Sequence, residues 1–133
     1  MAQQRPGSPL RSPLGRAIGL GSAKEGVNHW WWQRVSSIAL VPLSLWFVIS
    51  VIGLAGADLE TVVIWLDNPV AAVLFVLLIV AVFYHGALGL QVVIEDYVKN
   101  EGAKLAALIV MKLAAFLLAA LAVFCVLKLA FVI

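Results

Sequence analysis

Charged residues are scarce in this chain of 133 residues: only 12% are Asp, Glu, Lys or Arg, whereas 64% are hydrophobic. A soluble domain of this length could not bury so much apolar surface, and the mean hydropathy of +1.07 places the chain in the membrane class. The net charge of +2 is too small to indicate a nucleic-acid partner. Cys125 is the single cysteine, so no internal disulfide can form.

Three long apolar runs are present, at about residues 35–56, 69–95 and 105–131. Each reaches the roughly 20 residues that a helix needs to cross a hydrocarbon core of about 30 Å. We therefore predict an all-α integral membrane protein with three transmembrane helices. Residues 1–34 would form a polar N-terminal arm and interfacial segment, and residues 35–133 the anchor domain. This layout leaves little room for an independent catalytic domain, so we do not expect the chain to be an enzyme on its own.

Basic residues are distributed unevenly around the apolar runs. Those before or at the start of the first run are Arg5, Arg11, Arg16, Lys24 and Arg34. The polar segment 57–68 contains three acidic residues and no basic residue, whereas the segment 95–104 carries Lys99 and Lys104. Because an excess of Lys and Arg marks the cytoplasmic side, we predict that the N-terminus lies inside and the C-terminus outside.

One histidine interrupts the second apolar run. His85 is the only ionisable side chain between Pro69 and Ile94 apart from the phenol of Tyr84. An imidazole deep in a membrane span is costly and indicates a functional site, usually one that binds a metal or transfers protons. His85 lies roughly 24 Å along the helix from Pro69, so we expect it in the inner half of the bilayer.

Three kinds of site could use this imidazole. Zinc needs three or four protein ligands, and a proton relay normally shows several intramembrane carboxylates or histidines, so both are disfavoured by a lone histidine. A neutral imidazole nitrogen suits the axial position of a haem iron, with the other axial ligand from a partner subunit. The alternative is a structural histidine bonded to a serine or a carbonyl group.

Small residues flank the histidine. His85, Gly89, Val92 and Asp96 share one stripe of the predicted helix, and Gly86 is the next residue after the histidine. Small side chains allow either another helix or a flat macrocycle to approach closely, and the sequence leaves both possibilities open.

Aromatic residues lie at the predicted membrane boundaries. Asp96 and Tyr97 follow the second run, where the phenol could donate a hydrogen bond to a quinone or belong to an aromatic belt. Trp30–Trp32 precede the first run and could anchor the helix at the headgroup layer or form the wall of a ligand site.

The spacing of four residues resembles that in the small membrane-anchor subunit of succinate dehydrogenase, the one with the haem-ligating second helix: His85, Gly89, Asp96 and Tyr97. The segment Gly26–Leu40, which includes His29 and Arg34, resembles the start of the first helix of that subunit. Residues 16–24 and the tryptophan run resemble the alphaproteobacterial branch. Some relatives have an acidic residue at the position of His29, so no role is assigned to it.

The resemblance implies a succinate:quinone oxidoreductase in a bacterial inner membrane. Its partners would be a flavoprotein subunit, an iron–sulfur subunit and a second membrane anchor of the cytochrome b556 type. It implies that His85 is an axial ligand of haem b and that Tyr97 donates to a carbonyl of ubiquinone. Asp96 would line the quinone site, and Arg34 and Trp31 would support the haem-propionate or quinone region.

Two other functions remain open at this point. The chain could be the anchor of a fumarate reductase or of another haem-b quinone oxidoreductase. It could also be a small membrane protein without a redox function, such as a transporter or an assembly factor.

The predicted topology can be tested with reporter fusions. A reporter inserted in the segment 57–68 and one placed after Ile133 should both report an external location, because the basic residues hold the N-terminus and the second polar segment inside. A cytoplasmic signal at either position would contradict the predicted topology.

Overall fold

The computed structural model describes residues 12–14 and 24–131, and within these ranges it contains helices and no β-strand. The helices are α1 (Lys24–Gly53), α2 (Leu59–Asp67), α3 (Pro69–Tyr97) and α4 (Glu101–Ala130). By length and composition, α1, α3 and α4 could each cross a membrane. The prediction of an all-α protein with three membrane-spanning helices is therefore confirmed. Most of the predicted N-terminal arm lies outside the described residues.

Helix α1 begins about eight turns before its end at Gly53 and well ahead of the first apolar run, which starts near residue 35. The interfacial tryptophans are thus part of one continuous helix. No glycine or proline interrupts the chain between Gly26 and Pro42, and a helix satisfies its own backbone hydrogen bonds at the membrane boundary. This continuity places His29, Gln33 and Ser36 on one face, at the i, i+4, i+7 spacing of a helix.

The segment 57–68, read from the sequence as a polar connection, contains the short helix α2. Asp58 caps it by accepting hydrogen bonds from the Thr61 hydroxyl at 2.6 Å and from the Thr61 backbone N–H at 3.0 Å. These two bonds lower the pKa of Asp58. Gly56, with φ of 81°, makes the preceding turn in a backbone region that favours glycine.

A single residue separates α2 from α3. Asn68 ends α2, and its side chain accepts a hydrogen bond from the backbone N–H of Val70 at 2.9 Å, which caps α3. Pro69 occupies the first position of α3. A backbone N–H at this position has no partner within the helix, so proline, which lacks this N–H, loses no hydrogen bond there. The chain therefore turns sharply here and fixes where α3 starts.

Helix α3 is the central helix of the fold. It packs against α1 and against α4, whereas no Cα atom of α1 comes within 8 Å of α4 in the described part of the chain. Phe47, near the end of α1, contacts Phe75, near the start of α3, with ring centroids 5.4 Å apart, so the two helices run antiparallel. The first turns of α1, the end of α3 and the start of α4 therefore lie at one end of the molecule, here called the polar end.

The hydrophobic core is small and lies at the opposite end. Leu66 of α2 is buried against Val126 and Ala130 of α4. Trp65 of α2 stacks on Trp46 of α1, with ring centroids 5.7 Å apart. Most other large apolar side chains are exposed, as expected for helices whose outer faces meet lipid tails or other subunits.

The packing at this end predicts that truncation of two nearby residues lowers the stability of the protein by different amounts. Leu66→Ala should remove about 2–5 kcal/mol of stability, because Leu66 is 4% exposed and its loss leaves a cavity against α4. The measurement is the thermal denaturation midpoint of the protein in detergent, followed by tryptophan fluorescence. Ile64→Ala is the matched control, since Ile64 is 65% exposed. Equal losses in the two variants would contradict this packing.

Candidate functional site

The imidazole of His85 lies where α3 packs against α1. Its Nδ1 atom is 2.9 Å from the hydroxyl oxygen of Ser36, which lies across the interface on α1. Ser36 is 7% exposed and is the one buried polar residue in the part of the chain that the structure describes. The two helices are therefore joined by a polar contact between side chains of their interface.

The partners of Ser36 determine the direction of this hydrogen bond. The hydroxyl of Ser36 donates to the backbone carbonyl of Gln33 at 3.1 Å. A hydroxyl has a single proton, so when that proton is directed at the carbonyl the oxygen of Ser36 accepts at its other contact, from Nδ1–H of His85. A neutral imidazole with its proton on Nδ1 has its free lone pair on Nε2.

The second ring nitrogen has a weaker contact. The amide nitrogen of Gln33 lies 3.4 Å from Nε2 of His85, and an amide nitrogen can only donate, which agrees with a lone pair on Nε2. This distance exceeds the usual 2.7–3.2 Å of an N–H hydrogen bond, so the lone pair is only weakly engaged. Nε2 thus has the longer of the two contacts and is the ring nitrogen that remains available to a metal ion.

Two buried polar atoms of α1 have no hydrogen-bond partner within the described residues: the amide oxygen of Gln33 and Nε2 of His29. Buried polar atoms are nearly always paired, because an unpaired one loses its hydrogen bonds to water without replacement. Gln33 and His29 are four residues apart on the face of α1 that carries Ser36. This face is therefore more polar than packing against α3 alone requires.

The two glycines near His85 differ in their surroundings. A Cβ atom on Gly89 would lie 4.0 Å from the amide nitrogen of Gln33, so Gly89 is on the side of α3 that meets α1. A Cβ atom on Gly86 would have no atom within 4 Å, and Gly86 is exposed. Gly89 thus belongs to helix packing, whereas the space beside Gly86 is open.

The alternative interpretation, a structural histidine bonded to a serine, accounts for only one of the two ring nitrogens. Nδ1 has the serine partner that this alternative requires. Nε2 has only the long amide contact. The same hydrogen bond also leaves the imidazole in the tautomer that a metal ligand needs, because a ligating histidine usually donates its other N–H to a polar partner. The contact is compatible with both interpretations.

The other candidate residues lie toward the polar end. Tyr97 is the last residue of α3 and is 79% exposed, and Asp96 beside it is also exposed. On α1, the guanidinium of Arg34 lies 5.4 Å from the ring centroid of Trp30, and Trp31 is 57% exposed.

The structure brings these residues to the same end without joining them. Between the residues of α1 and those at the end of α3, no hydrogen bond or ion pair links Arg34 or Trp31 to Asp96 or Tyr97 across residues 24–131. The exposed groups remain free to contact a ligand or another subunit. Sequence reasoning missed Gln33 and Ser36 as partners of His85, although polar residues three apart in a membrane helix are a signal of an interhelical contact.

Comparisons with known proteins identify the family. The family model for the succinate dehydrogenase/fumarate reductase transmembrane subunit matches residues 8–119. The succinate dehydrogenase hydrophobic membrane anchor subunit of Rickettsia bellii is 33% identical over 104 residues, which are 78% of this chain and 83% of the relative. The subunit of the same name from Paracoccus denitrificans is 34% identical over 98 residues, 74% of this chain and 75% of the relative.

A more distant relative has the same kind of name. The succinate dehydrogenase membrane anchor subunit of Reclinomonas americana is 27% identical over 95 residues, which cover 69% of this chain and 79% of the relative. The family match covers α1, α2, α3 and most of α4, including the interface that holds His85. The chain belongs to the family of succinate dehydrogenase and fumarate reductase transmembrane subunits.

Proposed function

We propose that this chain is the hydrophobic membrane-anchor subunit of a succinate dehydrogenase, and that it contributes a haem b ligand and part of a ubiquinone-reduction site. The names of the relatives support the subunit assignment. They favour succinate dehydrogenase over fumarate reductase, although the family model includes both. The chain would carry no flavin chemistry and would act within a complex in the bacterial inner membrane.

The observation that carries the haem proposal is the state of the His85 imidazole. Its Nδ1 atom lies 2.9 Å from the hydroxyl oxygen of Ser36, whereas its Nε2 atom has only a 3.4 Å contact. An axial haem ligand needs a free lone pair, and a hydrogen bond at the other nitrogen holds the ring in place. The open, exposed side of Gly86 next to His85 fits the close approach of a flat macrocycle.

In this proposal His85 would hold the haem iron from this chain, and a residue of the second membrane anchor would hold it from the partner. The bound haem would supply a group that accepts and releases one electron at a time. The contribution of this chain would be to place the ligand and exclude water from it through the apolar helices. Arg34 and Trp31 lie in the part of α1 toward the polar end and would support the haem-propionate or quinone region.

The quinone proposal rests on the exposed end of α3. The phenol of Tyr97 is 79% exposed and has no hydrogen-bond partner among the described residues, so it is available to donate to a carbonyl of ubiquinone. Asp96, the preceding residue, supplies an ionisable group from which a proton could reach the site. The iron–sulfur and flavoprotein subunits would dock at this end, where Lys99 and Asn100 between α3 and α4 are exposed.

The haem proposal is tested by changing each of the two histidines of the chain. His85→Leu should abolish the low-spin haem b absorption and electron paramagnetic resonance signals of the purified complex, because an axial ligand is lost. His29→Leu is the matched control and should retain the low-spin signals. Unchanged spectra in the His85 variant would contradict the assignment, as would loss of the signals in the His29 variant alone.

The quinone proposal is tested with the two tyrosines of the chain. Tyr97→Phe keeps the ring and removes one hydrogen-bond donor, which is worth about 0.5–1.5 kcal/mol, so quinone reduction should fall several-fold. Succinate oxidation with a soluble artificial acceptor should stay at the wild-type rate. Tyr84→Phe is the control and should leave quinone reduction unchanged, since Tyr84 lies roughly 20 Å along the helix from Tyr97.

A parallel fall in both activities of the Tyr97 variant would show that this residue is an interfacial anchor. The quinone proposal would then be wrong for Tyr97, while the haem proposal would be unaffected.

A further inference from the structure

We propose that Ser36 is a positioning residue for the haem ligand: its hydroxyl oxygen accepts a hydrogen bond from Nδ1–H of His85, and in this way it selects the ligating nitrogen and tunes the potential of the haem. This inference rests on the proposed binding of haem by His85. It adds a residue on a different helix, which the sequence analysis did not single out.

The first step of the argument is the selection of the tautomer. An imidazole can present either nitrogen as its lone pair, and the group bonded to the other nitrogen decides which one. The hydroxyl of Ser36 can donate its single proton to the carbonyl of Gln33, 3.1 Å away, and its oxygen then accepts from His85 at 2.9 Å. The proton of the imidazole is therefore held on Nδ1, and Nε2 is left as the ligating nitrogen.

The second step concerns the electronic effect. A hydrogen bond from the outer N–H of a ligating histidine raises the basicity of the ligand and fixes the orientation of its ring. A more basic axial ligand stabilises the oxidised iron, which lowers the midpoint potential. Loss of the acceptor at Ser36 should therefore raise the midpoint potential of the haem and change the anisotropy of its resonance signal, which reports the ring orientation.

The burial of Ser36 makes this effect specific. Ser36 is 7% exposed, so water has little access to replace its hydroxyl as acceptor. The neighbouring residue Ser37 provides a contrast, because its hydroxyl donates to the carbonyl of Gln33 at 2.6 Å and makes no contact with His85. The two serines share a helix turn and a carbonyl partner but differ in contact with the imidazole.

The experiment compares a pair of variants of equal shape in the purified complex. Ser36→Thr and Ser36→Val differ only in the hydroxyl group, so steric effects on the buried site are matched. A threonine hydroxyl in a helix can still donate to the carbonyl three residues earlier, as Ser36 does. Ser37→Ala is the control for the loss of a hydroxyl at the neighbouring position. The readouts are the haem midpoint potential, the low-spin resonance spectrum and the haem content.

The proposal expects the midpoint potential to rise and the resonance spectrum to shift in the Ser36→Val variant, while Ser36→Thr and Ser37→Ala remain close to the wild type. Loss of haem from the Ser36→Val variant, with haem retained by Ser36→Thr, also supports the proposal. Equal potentials and spectra in the Thr and Val variants would overturn it, and so would an equal shift in the Ser37→Ala variant.

These outcomes are separable from failure of haem binding by His85. If the His85→Leu complex keeps its low-spin spectrum, the proposed haem ligand is wrong, and this inference falls with it. If that spectrum is lost but the two Ser36 variants are indistinguishable, the ligand assignment stands and only the role of Ser36 is wrong.

Discussion

The hydrogen bond between Ser36 and His85 is the interaction on which the proposed haem site depends. An imidazole among apolar helices is tolerated only when its polar atoms are paired, because no water is available to replace a missing partner. The 2.9 Å contact satisfies Nδ1 and ties α1 to α3 at the same time. In the proposed site it also leaves Nε2 as the nitrogen for another group. One buried serine would then serve both packing and ligand positioning.

The rest of the fold holds that contact in place. At the end opposite to the polar end, Trp46 of α1 stacks on Trp65 of α2, and Leu66 of α2 packs against α4. Helix α3 lies between α1 and α4, so its imidazole-bearing face is covered by α1 alone. The unpaired polar atoms of His29 and Gln33 lie on this same face of α1. In the described part of the chain, the buried polar atoms without a partner therefore lie on the face of α1 that carries Ser36, in a molecule whose outer surface is largely apolar.

The sequence predicted the membrane class and the number of spans, because both depend on long hydrophobic runs. It also singled out His85, because an imidazole is costly in such a run. It did not predict that Gln33 and Ser36 contact His85. In a membrane helix the outward faces are apolar too, so hydrophobic periodicity does not show which face meets a neighbouring helix. Helix α2 was also missed, although Asp58 with Thr61 and Asn68 with Pro69 have the residue types of helix caps. The roles of Tyr97, Asp96, Arg34 and Trp31 stay predictions, since they depend on groups outside this chain.

The most direct test of the account is an experimental structure of the assembled complex at a resolution that defines the ring orientation of His85. The account predicts that Nε2 of His85 is bonded to the iron of haem b and that the hydroxyl oxygen of Ser36 lies within hydrogen-bond distance of Nδ1. An iron atom bonded through Nδ1, or a haem with no bond to His85, would contradict it.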